Sequence, residues 1–128
     1  YESVRDRLPA GASAEDWALI RPNLQRVEDF AEWMPVLEGE IEPSELGHDE
    51  RALAREAAAI AAGLDWGEEP WRQMTDRLKA STGQKGRALF HPPRLAITGR
   101  DSGPEMAGLV ERIGKERVVR RLEAAARR

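Results

Sequence analysis

The segment from Lys85 to Pro104 reads Lys-Gly-Arg-Ala-Leu-Phe-His-Pro-Pro-Arg-Leu-Ala-Ile-Thr-Gly-Arg-Asp-Ser-Gly-Pro, and its residue types suit recognition of a flexible polyanion. Arg94 carries the main chemistry. Its planar guanidinium can stack on a base face and donate to base edges or phosphates in a geometry that lysine does not reproduce. Pro92 and Pro93 are expected to fix the approach to Arg94, Gly103 and Pro104 to make a second corner that opens a helix, and Arg87 and Arg100 to add positive charge nearby. A helix N-terminus at that corner would also point backbone N–H groups outward. Such a corner is equally how an ordinary helix begins.

Catalysis finds little support. His48 and His91 are far apart, no histidine and carboxylate cluster has metal-ligand spacing, and no serine stands in a nucleophile-elbow pattern. Gly83, Lys85 and Gly86 lack both the spacing and the preceding strand of a phosphate loop, so a helix-ending glycine is the better reading. With no cysteine, zinc ribbons, thiol catalysis and disulfide scaffolds are excluded, which fits a reducing cytoplasm.

Charge is divided along the chain. Residues 1 to 70 hold six basic against 17 acidic side chains, and residues 71 to 128 hold 14 against six, although the net charge is only −3. A basic half concentrates positive potential and marks a nucleic-acid or membrane partner, whereas solvated helix faces also collect arginine. The apolar runs are too short to span a bilayer and no signal-like segment opens the chain, so neither a membrane nor export is expected. The 128 residues suffice for one domain or two small helical subdomains with a core that needs no disulfide or metal. A start at Tyr1 in mid-pattern suggests a piece of a longer polypeptide.

The elements that would position these residues read as helices throughout, so an all-α fold is expected. Ser13 and Asp16 form a capping signature ahead of Trp17, and Pro22 is placed to start a second helical run with Leu24, Val27, Ala31 and Met34 on its core face, widened by Phe30, Trp33 and Leu37. Acidic and turn-forming residues from 38 to 50 read as the connection between two helical subdomains, 1–47 and 48–128. Beyond it, Leu53, Ala57, Ile60 and Leu64 trace one helix face, Pro70 starts a helix that Gly83 stops, and Ser102 with Glu105 reads as a second capping box for a helix carrying Met106, Leu109, Val110 and Ile113. The last helix is expected to bury Val118, Leu122 and Ala125 and to turn Arg117, Arg121 and Arg128 to another face. Trp17, Trp33 and Trp71 follow apolar faces and read as core, with Trp66 on a corner.

Three ordered motifs, Lys-Gly-Arg-x-Leu-Phe-His-Pro-x-Arg-Leu-Ala-x-Thr-Gly, then Ser-Gly-Pro-Glu, then Ile-Gly-Lys-Glu-Arg-Val, resemble the C-terminal anticodon-binding region of bacterial glutamyl-tRNA synthetases. Trp17, the Pro22-Asn23-Leu24 step and Asp29 to Trp33 are similar to the preceding helical part of that region. The resemblance implies an all-α helical bundle of the class I synthetase anticodon-binding type that grips the anticodon loop of glutamate tRNA. It implies a separate Rossmann-type domain, absent from this sequence, that uses ATP with magnesium to charge the tRNA, so the fragment itself would bind without catalysing and without a cofactor of its own. A cytoplasmic, monomeric enzyme is implied for the whole protein. The arginine of the Pro-x-Arg motif, matched by Arg94, would contact the first anticodon bases. Gly103, Pro104 and Met106 would contribute around the next helix start, and the basic face of 115–128, with Arg117 and Arg121, would steer the RNA backbone.

Pro93 departs from the leucine usual in that motif and removes a backbone N–H. Readings from other classes stay open on the residues alone: a protein-interaction module that docks a basic partner on the acidic first half, around Glu38 to Glu45, and a helix-turn-helix DNA binder that uses the final basic helix.

Overall fold

The computed structural model describes residues 4–127, all helices and connections with no strand among them. Seven α-helices follow in order: α1 Ala14–Ile20, α2 Met34–Glu38, α3 His48–Ala62, α4 Pro70–Thr82, α5 Arg87–Thr98, α6 Met106–Ile113 and α7 Lys115–Arg127. Single 3₁₀ turns at Arg5–Arg7 and Arg21–Asn23 and a longer 3₁₀ stretch at Val27–Trp33 complete the first part. Arg128, expected to share a face with Arg117 and Arg121, lies outside the described residues.

α1 starts where its sequence dictates. Ser13 Oγ accepts from the Asp16 N–H at 3.0 Å and Asp16 Oδ2 accepts from the Ser13 N–H at 3.3 Å, so two otherwise unpaired donors are satisfied reciprocally. The second run departs from expectation, because Val27–Trp33 is 3₁₀ rather than α. At three residues per turn, side chains three apart line up. Val27, Phe30 and Trp33 therefore share one face, with Phe30 and Trp33 buried, while Ala31 of the expected α-helical face is exposed.

Gly39 to Gly47 connects α2 to α3 without regular structure, and Ser44 Oγ fastens it by donating to Leu95 O of α5 at 2.6 Å. α3 lies along α7 as the most extensive helix pair, and also packs on α4 and α5. Ala54, Ala57, Ala58 and Ala61 of α3 and Val118, Leu122, Ala125 and Ala126 of α7 are buried. Small side chains on both surfaces let the two axes approach closely. Buried residues from both sides of the 39–47 connection, Ile20, Phe30 and Leu37 on one side and Leu78, Ile97 and Leu109 on the other, belong to one contiguous cluster.

A buried ion pair ties the acidic first part to the basic second. Arg112 of α6 donates from Nε to Asp16 Oδ1 at 2.6 Å and from Nη2 to Glu38 Oε2 at 2.9 Å, and Asp16 is 2% exposed. These carboxylates hold the Arg112 guanidinium well above its ordinary pKa, the Asp16 hydrogen bond being the largest cause. Arg112→Ala strands a buried carboxylate and is expected to cost about 2 kcal/mol of unfolding free energy. In thermal unfolding, the double variant Arg112→Ala/Asp16→Asn should lose less than the two single losses added, because the amide needs no counter-charge.

Two local expectations are corrected in the region that carries Arg94. Pro92 and Pro93 make no corner: α5 runs through them, with both rings buried. Their missing N–H groups leave the carbonyls of Ala88 and Leu89 without helical donors. Packing of the two rings against the core holds a helix that propensity alone opposes. The capping box expected from Ser102 and Glu105 is also absent, since α6 begins at Met106 with Glu105 in the cap position and no side-chain cap hydrogen bond.

Candidate nucleic-acid interface

Arg94 sits in the middle of α5, whose end is held by Thr98. The Thr98 hydroxyl donates to Arg94 O at 2.8 Å and accepts from the Arg100 N–H at 3.0 Å, while Gly99, with φ at +73°, turns the chain in a left-handed conformation that suits glycine. The chain then loops from Gly99 to Glu105 and enters α6. That loop brings Pro104 back to Arg94, whose Nη2 donates to Pro104 O at 3.0 Å. Arg94 Nη1 is buried with no hydrogen-bond partner. Partial burial holds the guanidinium below its ordinary pKa by desolvation.

Around this side chain lies an open pocket of about 340 Å³, lined by Trp71 of α4, Phe90 and Arg94 of α5, Glu105, Met106 and Ala107. Phe90 is 45% exposed, the one exposed large apolar side chain among the described residues. It precedes Arg94 by four residues on the same helix, so the ring and the guanidinium share a face. Since exposing a phenylalanine wastes apolar burial, an exposed ring beside an arginine and an indole makes a stacking platform for a flat ligand. Glu105 adds a carboxylate at the rim, and no side chain caps the first N–H groups of α6. Donors, an acceptor and aromatic faces together match the edge and face of a base better than a bare phosphate.

Of the residues expected from the sequence, the structure brings Arg94, Pro104 and Met106 to this pocket and its floor, with Gly103 on the loop above Arg94. Pro104 and Met106 are buried, and Pro104, which has no N–H, gives its carbonyl to Arg94 and so serves to hold that side chain. Arg100 lies on the other side of that loop, with its guanidinium carbon 4.3 Å from the centroid of the Trp33 ring and Nη2 donating to Glu32 O at 2.9 Å. Arg87 is exposed on the first turn of α5 and lines a different groove, with His91, Asp49, Glu50 and Glu56. Arg117 folds back to donate to Ile113 O at 3.3 Å at the α6–α7 corner.

Arg121 is the plainest correction. Expected on an exposed basic face, it is 7% exposed and donates to four backbone carbonyls, those of Pro35, Val36, Gly39 and Ile97. It therefore fastens α7 to α2 and α5 and offers nothing to a ligand. Part of the charge division along the chain is likewise spent within the protein: Arg112 pairs with Asp16 and Glu38, and on the surface Arg120 lies 3.5 Å from Glu40. The acidic first part thus spends part of its charge on holding the basic second part.

Trp71 and Phe90 are pocket residues that their sequence pattern does not announce. Trp71 packs against the core as its spacing predicts, and being only half-buried it also lines the pocket. The available signal for Phe90 was its place one helical turn before Arg94, between Leu89, which is buried, and His91, which pairs with Asp101 at 2.8 Å.

The family described as "Anticodon binding domain" matches residues 4–126. The chain is 49% identical over 126 residues to "Glutamate--tRNA ligase 1" of Rhizorhabdus wittichii and 45% identical over 127 residues to "Glutamate--tRNA ligase 1" of Zymomonas mobilis, covering 98% and 99% of this chain. It spans 28% and 29% of the length of those curated relatives. A crystal structure of a glutamate tRNA ligase from Elizabethkingia meningosepticum in complex with its amino acid shares the fold, with a TM-score of 0.69 at 21% identity over 98% of this chain and 27% of that one. With a family match that runs over nearly its whole length, the chain belongs to the anticodon-binding domain family.

Proposed function

We propose that residues 48–128 bind the anticodon loop of glutamate tRNA while residues 1–47 brace them, as the RNA-reading part of a cytoplasmic, monomeric glutamate–tRNA ligase. In this proposal a separate catalytic domain of the same polypeptide binds ATP and magnesium and joins glutamate to the tRNA. No helix among the described residues is long and apolar enough to cross a membrane, and no part of the proposal involves one. An unstacked anticodon base lies on the exposed Phe90 ring against Trp71, its edge meeting Arg94 donors on one side and Glu105 on the other. Arg77, Lys79, Lys85 and Arg87, all exposed around the α4–α5 turn, hold the adjoining phosphates.

The observation that carries this reading is the exposed aromatic ring one turn before Arg94. Its test is Phe90→Ala, with binding to a glutamate anticodon stem-loop and to the same loop with a scrambled anticodon measured at fixed salt. Loss of one stacking surface should weaken cognate binding by roughly 1–3 kcal/mol. Because the ring is exposed, the unfolding midpoint should stay close to that of the parent. Unchanged cognate binding would remove Phe90, and this pocket with it, from the interface.

A further inference from the structure

We propose that Trp33 is a positioning residue for anticodon discrimination, acting through the Gly99–Glu105 loop on the Arg94 guanidinium without touching RNA. The inference rests on the anticodon reading above and assigns it a determinant outside the pocket. Trp33 ends the 3₁₀ stretch of the first part, far from Arg94 in sequence, and is 5% exposed. Its ring makes two contacts with the loop. The face lies under the Arg100 guanidinium, and the distal edge abuts Gly103 so closely that a Cβ on Gly103 would stand 2.5 Å from Trp33 Cη2 and 3.2 Å from Cζ2. Arg100 Nη2 also donates to the carbonyl of Glu32, the residue just before Trp33, so loop and tryptophan are clasped on two sides.

On its other side the loop sets Arg94. That same Gly103 Cβ position is 3.5 Å from Arg94 Nη1, and Pro104 O accepts from Nη2. Arg94 is thus wedged beneath a loop whose height is fixed by the tryptophan edge. Raising or lowering the loop moves Pro104 O and the lid over the buried Nη1, rotates the guanidinium plane, and so changes the angle at which Arg94 faces the pocket. Only glycine permits this approach, since any side chain at 103 would collide with a buried indole.

The test compares the parent chain, Trp33→Phe, Gly103→Ala and the double variant, measuring binding to the glutamate anticodon stem-loop and to its scrambled counterpart, with the unfolding midpoint of each protein. Trp33→Phe withdraws the distal ring atoms and Gly103→Ala pushes the loop off them. Each should lower the cognate-to-scrambled affinity ratio about tenfold, the scale of one misplaced base contact, while scrambled binding stays near the parent value. Since both act through one contact, the double variant should lose no more than the worse single. Losses that multiply, equal losses on both RNAs that follow a fall in the midpoint, or a parent-like ratio in Gly103→Ala would each overturn the role of Trp33. A parent chain that fails to discriminate would instead defeat the anticodon reading, and this inference with it.

Discussion

Arg121→Met should lower the unfolding free energy by about 3–5 kcal/mol, the range for breaking a buried charged network from one side. The side chain donates to Val36 O at 2.8 Å, Ile97 O at 2.9 Å, Pro35 O at 3.1 Å and Gly39 O at 2.8 Å. Pro35 and Val36 belong to α2 and Ile97 to the last turn of α5, so these are carbonyls at helix ends, of which Pro35 O also accepts from the Gly39 N–H at 2.9 Å. One cation thus satisfies the ends of two helices and meets the negative pole of each. Burial holds its pKa below the ordinary value, with the charge of Arg117 adding to the effect. Methionine fills comparable space but takes the donor from Val36 O, Gly39 O and Ile97 O, while Pro35 O keeps the Gly39 N–H. Arg121→Lys keeps the charge yet cannot fan donors to four carbonyls, and should lie between the two. In urea unfolding the midpoint should fall with an unchanged slope. Parent-like stability of Arg121→Met combined with weaker, less salt-dependent RNA binding would return Arg121 to the role of a phosphate contact.

Arg121 also shows where the sequence misleads. Three residues after Val118 and four before Ala125, it lies on the buried stripe of α7, so spacing points inward where its charge points outward, and the tertiary arrangement of α2 and α5 supplies the carbonyls that make burial tolerable. The same holds for Arg112 and Arg120, whose partners Asp16, Glu38 and Glu40 lie in the acidic part of the chain. A charge division that sequence reads as an external field is therefore partly an internal lattice.

Where information is local, the sequence is legible. The Ser13–Asp16 box, the Pro70 start, the Gly83 stop and the buried faces of α3 and α7 all follow from caps and periodicity. The Pro92–Pro93 helix and the 3₁₀ register of Val27–Trp33 are set by packing, which overrides local preference. Arg94 and the Gly103–Pro104 step stood out in sequence because their residue types serve recognition. Phe90 did not, because one phenylalanine in an apolar helix declares its exposure only when its neighbours are placed.

Arg94 is the residue on which the binding prediction turns. Its guanidinium combines three properties that no other group in the pocket has: a fixed plane set by the bond to Pro104 O, a partner-free buried donor at Nη1, and a place on the Phe90 face of α5. Arg94→Ala should therefore cost cognate anticodon binding roughly 1–3 kcal/mol and leave scrambled binding nearly unchanged. Arg94→Lys is the sharper variant. Lysine keeps the positive charge, so a role in general attraction would be preserved, but it loses the planar fork and the second donor. If Arg94 reads a base, Lys should behave like Ala on the cognate loop, and the dependence of affinity on salt should keep its slope because no phosphate contact is lost. If Lys instead binds like the parent, Arg94 acts as charge alone. Arg87→Ala supplies the contrast, since that exposed side chain lies outside the pocket: it should weaken cognate and scrambled loops alike and flatten the salt slope by about one. Opposite patterns from two arginines on one helix would separate reading of the anticodon from holding of the backbone.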